Sequence, residues 1–482
     1  MNNTKKKFSV GDVINSSFNA GEEFKKLNQT ETDKIVKAVY EASFNNRIYL
    51  AKKAHEETGL GVWKDKVIKN VIASRLVYED IKDKKTVGII TDDSKANIIE
   101  IAQPIGPIFC ITPITNPTST VIFKILIALK TRNPIIIKPH GGARKCVIET
   151  CKICYEAALE AGAPEDCIQW IKRSTQEETI QMMGHKKTAL ILATGSVSLV
   201  KAAYSSGNPA IGVGPGNVPA YIGKSCYVPF AVEQIVKSKT FDNGTICASE
   251  QSIVCPKSNE KSVIEEFKKN GAYFLDKDEI KKLEPIAFSF VNKVMNIQVI
   301  GQSATTIAEM AGIDVPKNTK LLIAPLTEVG IQAPLSLEIL APILAFYSVK
   351  DFKAAINLCK RINQHGGLGH TVSIFSNDAE KIKEFSLTMN AGRIVVNTPS
   401  SQGALGGSYN SLQPSLTLGC GTGGKNITTD NISTQHLLNI QRIAKRQLHS
   451  SVAHFDSDYF YNESFTAEQF CNIFGEQELD LI

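Results

Sequence analysis

No run of about 18 uninterrupted apolar residues occurs, which excludes a membrane-spanning helix of ordinary length. The start, Met1-Asn2-Asn3-Thr4-Lys5, leads directly into polar sequence and lacks the apolar core of a secretory signal, so a cytoplasmic chain is expected. A strong charge of one sign is missing too. Lys plus Arg number 54 against 48 Asp plus Glu, a net charge of +6. The lysine clusters at Lys5-Lys6-Lys7 and Lys82 to Lys85 have acids close by and read as solvated faces, not as a nucleic-acid footprint. There is no internal repeat and no low-complexity tract. Eleven cysteines without a secretion signal predict free thiols in a reducing compartment. Cys151-Lys-Ile-Cys154, with Cys146 nearby, has no second ligand pair at zinc spacing. These cysteines read as small apolar residues of a helix over Val147 to Glu160, and no metal site is expected.

With 43% hydrophobic and 21% charged residues, the 482-residue chain has enough apolar material for two or three domains. Its first eighty or so residues read as amphipathic helices, with Thr30-Glu31-Thr32-Asp33 a candidate cap for one through Ile35, Val36, Val39 and Tyr40. Val87 to Thr91 and Ile98 to Ala102 flank a polar turn and predict a hairpin. From Pro107 the pattern changes. Strands at Ile108 to Ile111, Pro134 to Ile137, Cys167 to Ile171 and Ala189 to Ala193 alternate with helices at Ser119 to Lys130, Val147 to Ala161 and Thr179 to Met183. Such β-α alternation predicts a parallel sheet. A second α/β region begins near Gly244 and includes Leu321 to Ile323, Leu344 to Tyr347, Thr371 to Phe375 and Ile394 to Val396. Gly403 to Lys425 is glycine-rich and irregular.

Three short segments carry chemistry. In Thr240-Phe-Asp-Asn-Gly-Thr-Ile-Cys247-Ala-Ser-Glu-Gln, a cysteine follows a glycine turn. If a helix starts there, its free N–H groups favour a thiolate and hold an oxyanion. A buried structural cysteine is the competing reading. Thr194-Gly195-Ser196 ends a strand and opens a helix at Leu199 to Tyr204, a place where a pyrophosphate binds, although no Gly-x-Gly-x-x-Gly fingerprint is present. Gly212-Val-Gly214-Pro-Gly-Asn217 lets backbone approach a ligand closely, or is an ordinary loop.

Together with Lys66-Val-Ile-Lys-Asn70, Thr115-Asn-Pro-Thr-Ser-Thr120, Lys130-Thr-Arg-Asn133, Gly369-His-Thr371 and Pro414 to Gly421, these segments resemble the aldehyde dehydrogenase superfamily. They are most similar to its coenzyme-A-acylating branch, which includes the aldehyde dehydrogenase half of bifunctional aldehyde–alcohol dehydrogenases. The resemblance runs from about Asn28 to Lys445. It implies an aldehyde-dehydrogenase-like α/β fold: two α/β domains with parallel-rich sheets plus a small β oligomerisation element. The implied division is 1–86 and 106–239 for NAD binding, 240–426 for catalysis, 87–105 and 427–450 for an oligomerisation hairpin and arm, and 451–482 for a tail. A homodimer or higher homo-oligomer follows from it. The chain is expected to end where a bifunctional relative enters its iron-dependent alcohol dehydrogenase half.

The resemblance also implies roles. Cys247 matches the nucleophile, and Asn116 matches the oxyanion-hole amide that works with the Cys247 backbone N–H. Thr194, Gly195 and Ser196 match the turn beside the cofactor diphosphate, with Gly214 in the neighbouring loop. Lys138 matches the lysine at the adenosine ribose, and Glu338 the glutamate at the nicotinamide ribose. His370 matches a histidine near the site. Hydrolytic members carry a glutamate base in the segment matched by Gly212-Val213-Gly214, and none stands here. The acyl-enzyme is therefore expected to await coenzyme A. The implied reaction interconverts an aldehyde, by default acetaldehyde, and its acyl-CoA, with NAD as cofactor. Succinate semialdehyde, sulfoacetaldehyde and NADP stay open, as does a bacterial microcompartment. A hydrolytic enzyme and an inactive assembly subunit are the rival readings. Arg393 is either structural or a contact for an anionic substrate. Arg144 and Lys145 are candidates for a 2′-phosphate or simply solvated charges. Thr422-Gly423 stands where the family more often has serine and tryptophan.

Overall fold

Short β-branched runs without polar alternation suit strands covered on both faces, and the computed structural model places them so. It describes residues 9–445 and 458–474. A first sheet has the spatial order Ile168–Trp170, Ile135–Lys138, Ile108–Ile111, Leu190–Thr194 and Ala210–Val213, all parallel. The order reverses between Ile108–Ile111 and Leu190–Thr194. Loops leaving those two neighbours diverge to opposite faces and leave a crevice beyond the carboxyl ends of the strands. The helix Pro117–Lys130 is buried along its whole length, starts with Pro117 in its first turn and packs on this sheet's core.

The second sheet has seven parallel strands, ordered Ala272–Phe274, Leu321–Pro325, Ile343–Val349, Glu250–Pro256, Val218–Ile222, Gly369–Phe375 and Ala391–Val396. Val218–Ile222 corrects the expected division at Thr240. It pairs with Glu250–Pro256 and Gly369–Phe375 in the second sheet, because the chain crosses between sheets in the four residues after Val213. The carboxyl edge of the first sheet therefore leads straight to the amino edge of the second.

The expected hairpin forms from Gly88–Asp93 and Ile98–Pro104, and Leu438–Ala444 adds a third antiparallel strand. One expected cap moves. Asn28 caps the helix Gln29–Asn45, accepting from Glu31 N at 3.0 Å while Glu31 accepts from Asn28 N at 2.8 Å. That reciprocal box starts the helix before Thr30 to Asp33. Cys146, Cys151 and Cys154 are buried core residues of the helix Arg144–Glu160. Of the arm and tail, 446–457 and 475–482 lie outside the described residues. Asp458–Tyr461 and Ala467–Phe474 are short helices. No described helix is long and apolar enough to cross a membrane.

Candidate active site

The segment before Cys247 is held in an unusual turn. After the helix Val228–Thr240, Asp242 (φ 50°), Asn243 (φ 52°) and Gly244 (φ 74°) all occupy the left-handed region. A side chain at Gly244 would meet the Ala341 backbone at 2.9 Å. The turn delivers Cys247 to the amino edge of the second sheet. The helix expected after it is absent: Glu250–Pro256 is a fully buried central strand, and burial on both faces favours that extended run. No helix dipole therefore activates the sulfur. Burial, with the Glu338 carboxyl nearby, pushes the Cys247 thiol up to about 12. Burial thus favours the thiol form over the thiolate that a helix start would favour.

His370 stands against the sulfur. It lies at the start of the strand Gly369–Phe375, one strand removed from Glu250–Pro256 across Val218–Ile222, and its Nε2 lies 3.2 Å from Cys247 Sγ. Burial, then the Arg393 charge, pushes the imidazole down to about 3, so the ring is neutral. Its Nδ1 lies 2.9 Å from Thr371 Oγ1. With Nδ1–H donating to that hydroxyl, Nε2 is free to accept the thiol proton. Arg393 donates to the carbonyls of His370 (2.8 Å), Gly419 (2.6 Å) and Thr429 (3.0 Å), which makes it a structural arginine.

Gly216 packs beneath this pair: a Cβ there would fall 2.2 Å from the Cys247 carbonyl oxygen and 3.2 Å from the His370 ring. Its N–H donates to Glu338 Oε1 at 2.8 Å. Burial pushes the Glu338 carboxyl up to about 7. Gly214 faces open space, with no atom within 4 Å of a built Cβ. The glycine loop thus lies against the nucleophile's own backbone as well as edging the space around it.

Asn116 follows the central strand of the first sheet and precedes the helix Pro117–Lys130. Its Oδ1 accepts from Lys69 Nζ at 2.6 Å, and Lys69 also donates to Thr245 Oγ1 at 2.8 Å and to Asp242. One ammonium thereby ties Asn116 to the turn that carries Cys247. Lys66, Lys69 and Asp242 are all buried, and Lys66 Nζ lies 2.9 Å from Asp242 Oδ2. The sequence motif around Lys66 to Asn70 marks the family, but nothing in it shows that both ammoniums point inward to a partner more than 170 positions away.

Thr194, Gly195 and Ser196 lie on the other side of the strand reversal. Ser196 caps the helix Val197–Tyr204, and the turn is open to solvent. Lys124, given no role from the sequence, is fully buried and donates to Ile111 O (3.3 Å), Leu192 O (3.0 Å) and Thr194 Oγ1 (3.1 Å), fixing the two strand ends against each other. Lys138 ends the next strand, half-buried, with its ammonium lowered by burial and by Arg144. Accessible backbone N–H groups, hydroxyls and one ammonium at a strand reversal form a donor set that fits a dinucleotide. No cluster of three metal-ligating side chains occurs among the described residues.

A profile described as the aldehyde dehydrogenase family matches residues 3–413. The chain is 46% identical over 432 residues to an aldehyde-alcohol dehydrogenase of Clostridium acetobutylicum, covering 89% of this chain and 50% of that one. It spans about half the length of the curated aldehyde–alcohol dehydrogenases it matches. An acetylating aldehyde dehydrogenase from Geobacillus thermoglucosidasius has a similar structure, with a TM-score of 0.89 and 48% identity over 91% of this chain and 96% of that one. A propionaldehyde dehydrogenase from Rhodopseudomonas palustris, with bound CoA and an acylated cysteine, matches at a TM-score of 0.81 and 25% identity, covering 91% and 97% of the two chains. The two parallel sheets, the cysteine–histidine pair where they meet and a profile match over most of the length agree: the chain belongs to the aldehyde dehydrogenase family, a family of oxidoreductases.

Proposed function

We propose that the chain interconverts an aldehyde plus coenzyme A with the acyl-CoA, using NAD as the two-electron acceptor. The observation that carries this reading is the Cys247–His370 contact of 3.2 Å beside a glycine loop that supplies no general base for water. The Glu338 carboxyl, which acts electrostatically on Cys247, is engaged by the Gly216 N–H.

Cys247 Sγ bonds to the aldehyde carbon as its proton passes to His370 Nε2. The Asn116 Nδ2–H and the Cys247 N–H receive the developing oxyanion; losing one such donor costs about 10²–10³ in rate. A nicotinamide held in the crevice supplies the acceptor for the aldehyde hydride. The thioester left on Cys247 is then displaced by the thiol of coenzyme A: the departing Cys247 sulfur regains the proton held on His370, and the coenzyme A proton passes to the freed imidazole and on to solvent. Read backwards, the same groups reduce acyl-CoA. The relative crystallised with CoA and an acylated cysteine supports an acyl-cysteine intermediate that meets coenzyme A.

Arg393 is committed to backbone carbonyls. That favours a small uncharged aldehyde such as acetaldehyde over succinate semialdehyde or sulfoacetaldehyde. NAD is favoured over NADP for a similar reason. The helix N-terminus at Arg144 and Lys145 already holds the Glu57 carboxylate, at 2.7 Å from Lys145 N and 2.6 Å from Cys146 N, and an acid there repels a 2′-phosphate. The three-stranded antiparallel sheet leaves Ile89 and Ile443 exposed, which supports pairing across subunits. A monomer in light scattering refutes that pairing.

The test of function follows nicotinamide absorbance with acetaldehyde and NAD, with and without coenzyme A. Strict dependence on coenzyme A, abolished by Cys247→Ala, is expected. Equal turnover without coenzyme A makes water the acceptor and overturns the reading.

A further inference from the structure

Buried ammonium groups require full compensation, since an unpaired charge in an apolar interior is strongly unfavourable. Lys69 is 1% exposed and has three acceptors: Asp242 Oδ2, Asn116 Oδ1 at 2.6 Å and Thr245 Oγ1 at 2.8 Å. Three acceptors use all three hydrogens of a charged lysine, and a charged lysine accepts nothing. That asymmetry fixes the Asn116 amide. Its oxygen must face Lys69, so its nitrogen faces the other way, donating one hydrogen to Thr115 Oγ1 at 3.1 Å. The second hydrogen is left for a ligand.

The same ammonium reaches the nucleophile's turn. Thr245 stands two positions before Cys247, and its hydroxyl donates to Asp242 Oδ2 at 2.8 Å. Asp242 Oδ1 is held by the Val62 N–H at 2.6 Å. The helix Trp63–Val71, which carries Lys66 and Lys69, is thereby bonded to both halves of the site.

We infer that Lys69 is a positioning residue of the oxyanion hole: it orients and polarises the Asn116 amide and sets its distance from the Cys247 turn through Thr245 and Asp242. A charge-assisted bond to the amide oxygen strengthens the N–H groups on the opposite side. The inference rests on the proposed oxyanion role of Asn116, and its test separates the two.

The experiment is a double-mutant cycle between Lys69→Met and Asn116→Ala in the full chain, read as kcat and as KM for the cofactor. Lys66 still neutralises Asp242 in Lys69→Met. Asn116→Ala is expected to lower kcat by about 10²–10³-fold. Lys69→Met is expected to lower it by about 10–100-fold with the cofactor KM within about twofold, since displacement by an ångström costs up to about 10²-fold. The double variant is expected to be no slower than Asn116→Ala alone. Additive losses, or an unchanged kcat in Lys69→Met, overturn the Lys69 inference while Asn116 keeps its role. An unchanged rate in Asn116→Ala overturns the oxyanion assignment itself. If Lys69→Met does not fold, Lys69→Arg keeps the buried charge with a different reach. The same non-additivity is then expected, and additivity overturns the inference.

Discussion

Asp242→Asn removes one buried charge and, with its oxygen on the Val62 N–H, the acceptor that Lys66, Lys69 and Thr245 share. Asp242 is fully buried, sits at φ 50°, and faces Lys66 at 2.9 Å and Lys69 on the same oxygen. Asparagine has the same shape, tolerates the left-handed conformation and keeps an oxygen for the Val62 N–H. The two ammoniums lose their counter-charge, and breaking a buried pair of this kind costs about 3–5 kcal/mol. At about 1.4 kcal/mol per tenfold, the folded-to-unfolded ratio falls by two to three and a half orders of magnitude. The measurement is the unfolding midpoint in urea, by circular dichroism. Adding Lys66→Met removes one of the stranded charges and is expected to recover at least about half the loss. A single variant within about 1 kcal/mol of the parent, or a double variant no better than the single, refutes the reasoning. An acid limb gives a second check. Burial alone raises the Asp242 carboxyl, but Lys69 and Lys66 more than offset it and leave it below its ordinary value. Its stabilisation is therefore present above the unfolded-state pKa and lost as pH falls through the lower folded value. Asp242→Asn lacks that limb.

Gly216→Ala puts a methyl 2.2 Å from the Cys247 carbonyl oxygen. Because backbone must move, turnover and Cys247 alkylation by iodoacetamide are each expected to fall at least about tenfold; wild-type alkylation refutes the packing argument. Glu338 titrates near 7 through burial. The parent's cofactor KM is expected to rise as pH drops below that value, and Glu338→Gln is expected to show a flat profile. The raised carboxyl also makes stability fall as pH climbs from the unfolded-state pKa to about 7, a decline that Glu338→Gln removes; matching profiles sink both claims. Gly214→Glu enters open space and is expected to give NAD reduction without coenzyme A, detected as free carboxylic acid. Unchanged coenzyme A dependence means that position does not reach the acyl group.

Much of the fold was legible because its signals are local. Ile108 to Ile111 and Ala189 to Ala193 are short apolar runs closed by turn residues, and they became neighbouring parallel strands. The hairpin around Asp92 to Lys95 was readable from its polar turn and β-branched flanks. Sheet membership was less legible. Val218–Ile222 is as short and as buried as the strands of the first sheet, and only its partners Glu250–Pro256 and Gly369–Phe375 assign it to the second. The stretch after Cys247 failed for a related reason: Ala-Ser-Glu-Gln looks polar enough for a helix start, whereas all seven residues of Glu250–Pro256 are buried in a central strand.

For the site, motifs marked the positions but not the physics that operates them. Cys247 and His370 were both named from the sequence, yet their 3.2 Å contact and neutral pairing depend on two strands that flank Val218–Ile222 in one sheet and on burial, which no spacing of 123 residues encodes. Lysine is rarely buried unless paired, and the motifs that contain Lys69 and Lys124 carry no sign that their ammoniums turn inward. Inside, they join the ends of separate strands and loops: Lys124 ties Ile111 to Leu192 and Thr194, and Lys69 ties Asn116 to Thr245 and Asp242. An apolar side chain fills such a junction but does not fix which way an amide faces. A buried ammonium does, because every group around it must present an oxygen.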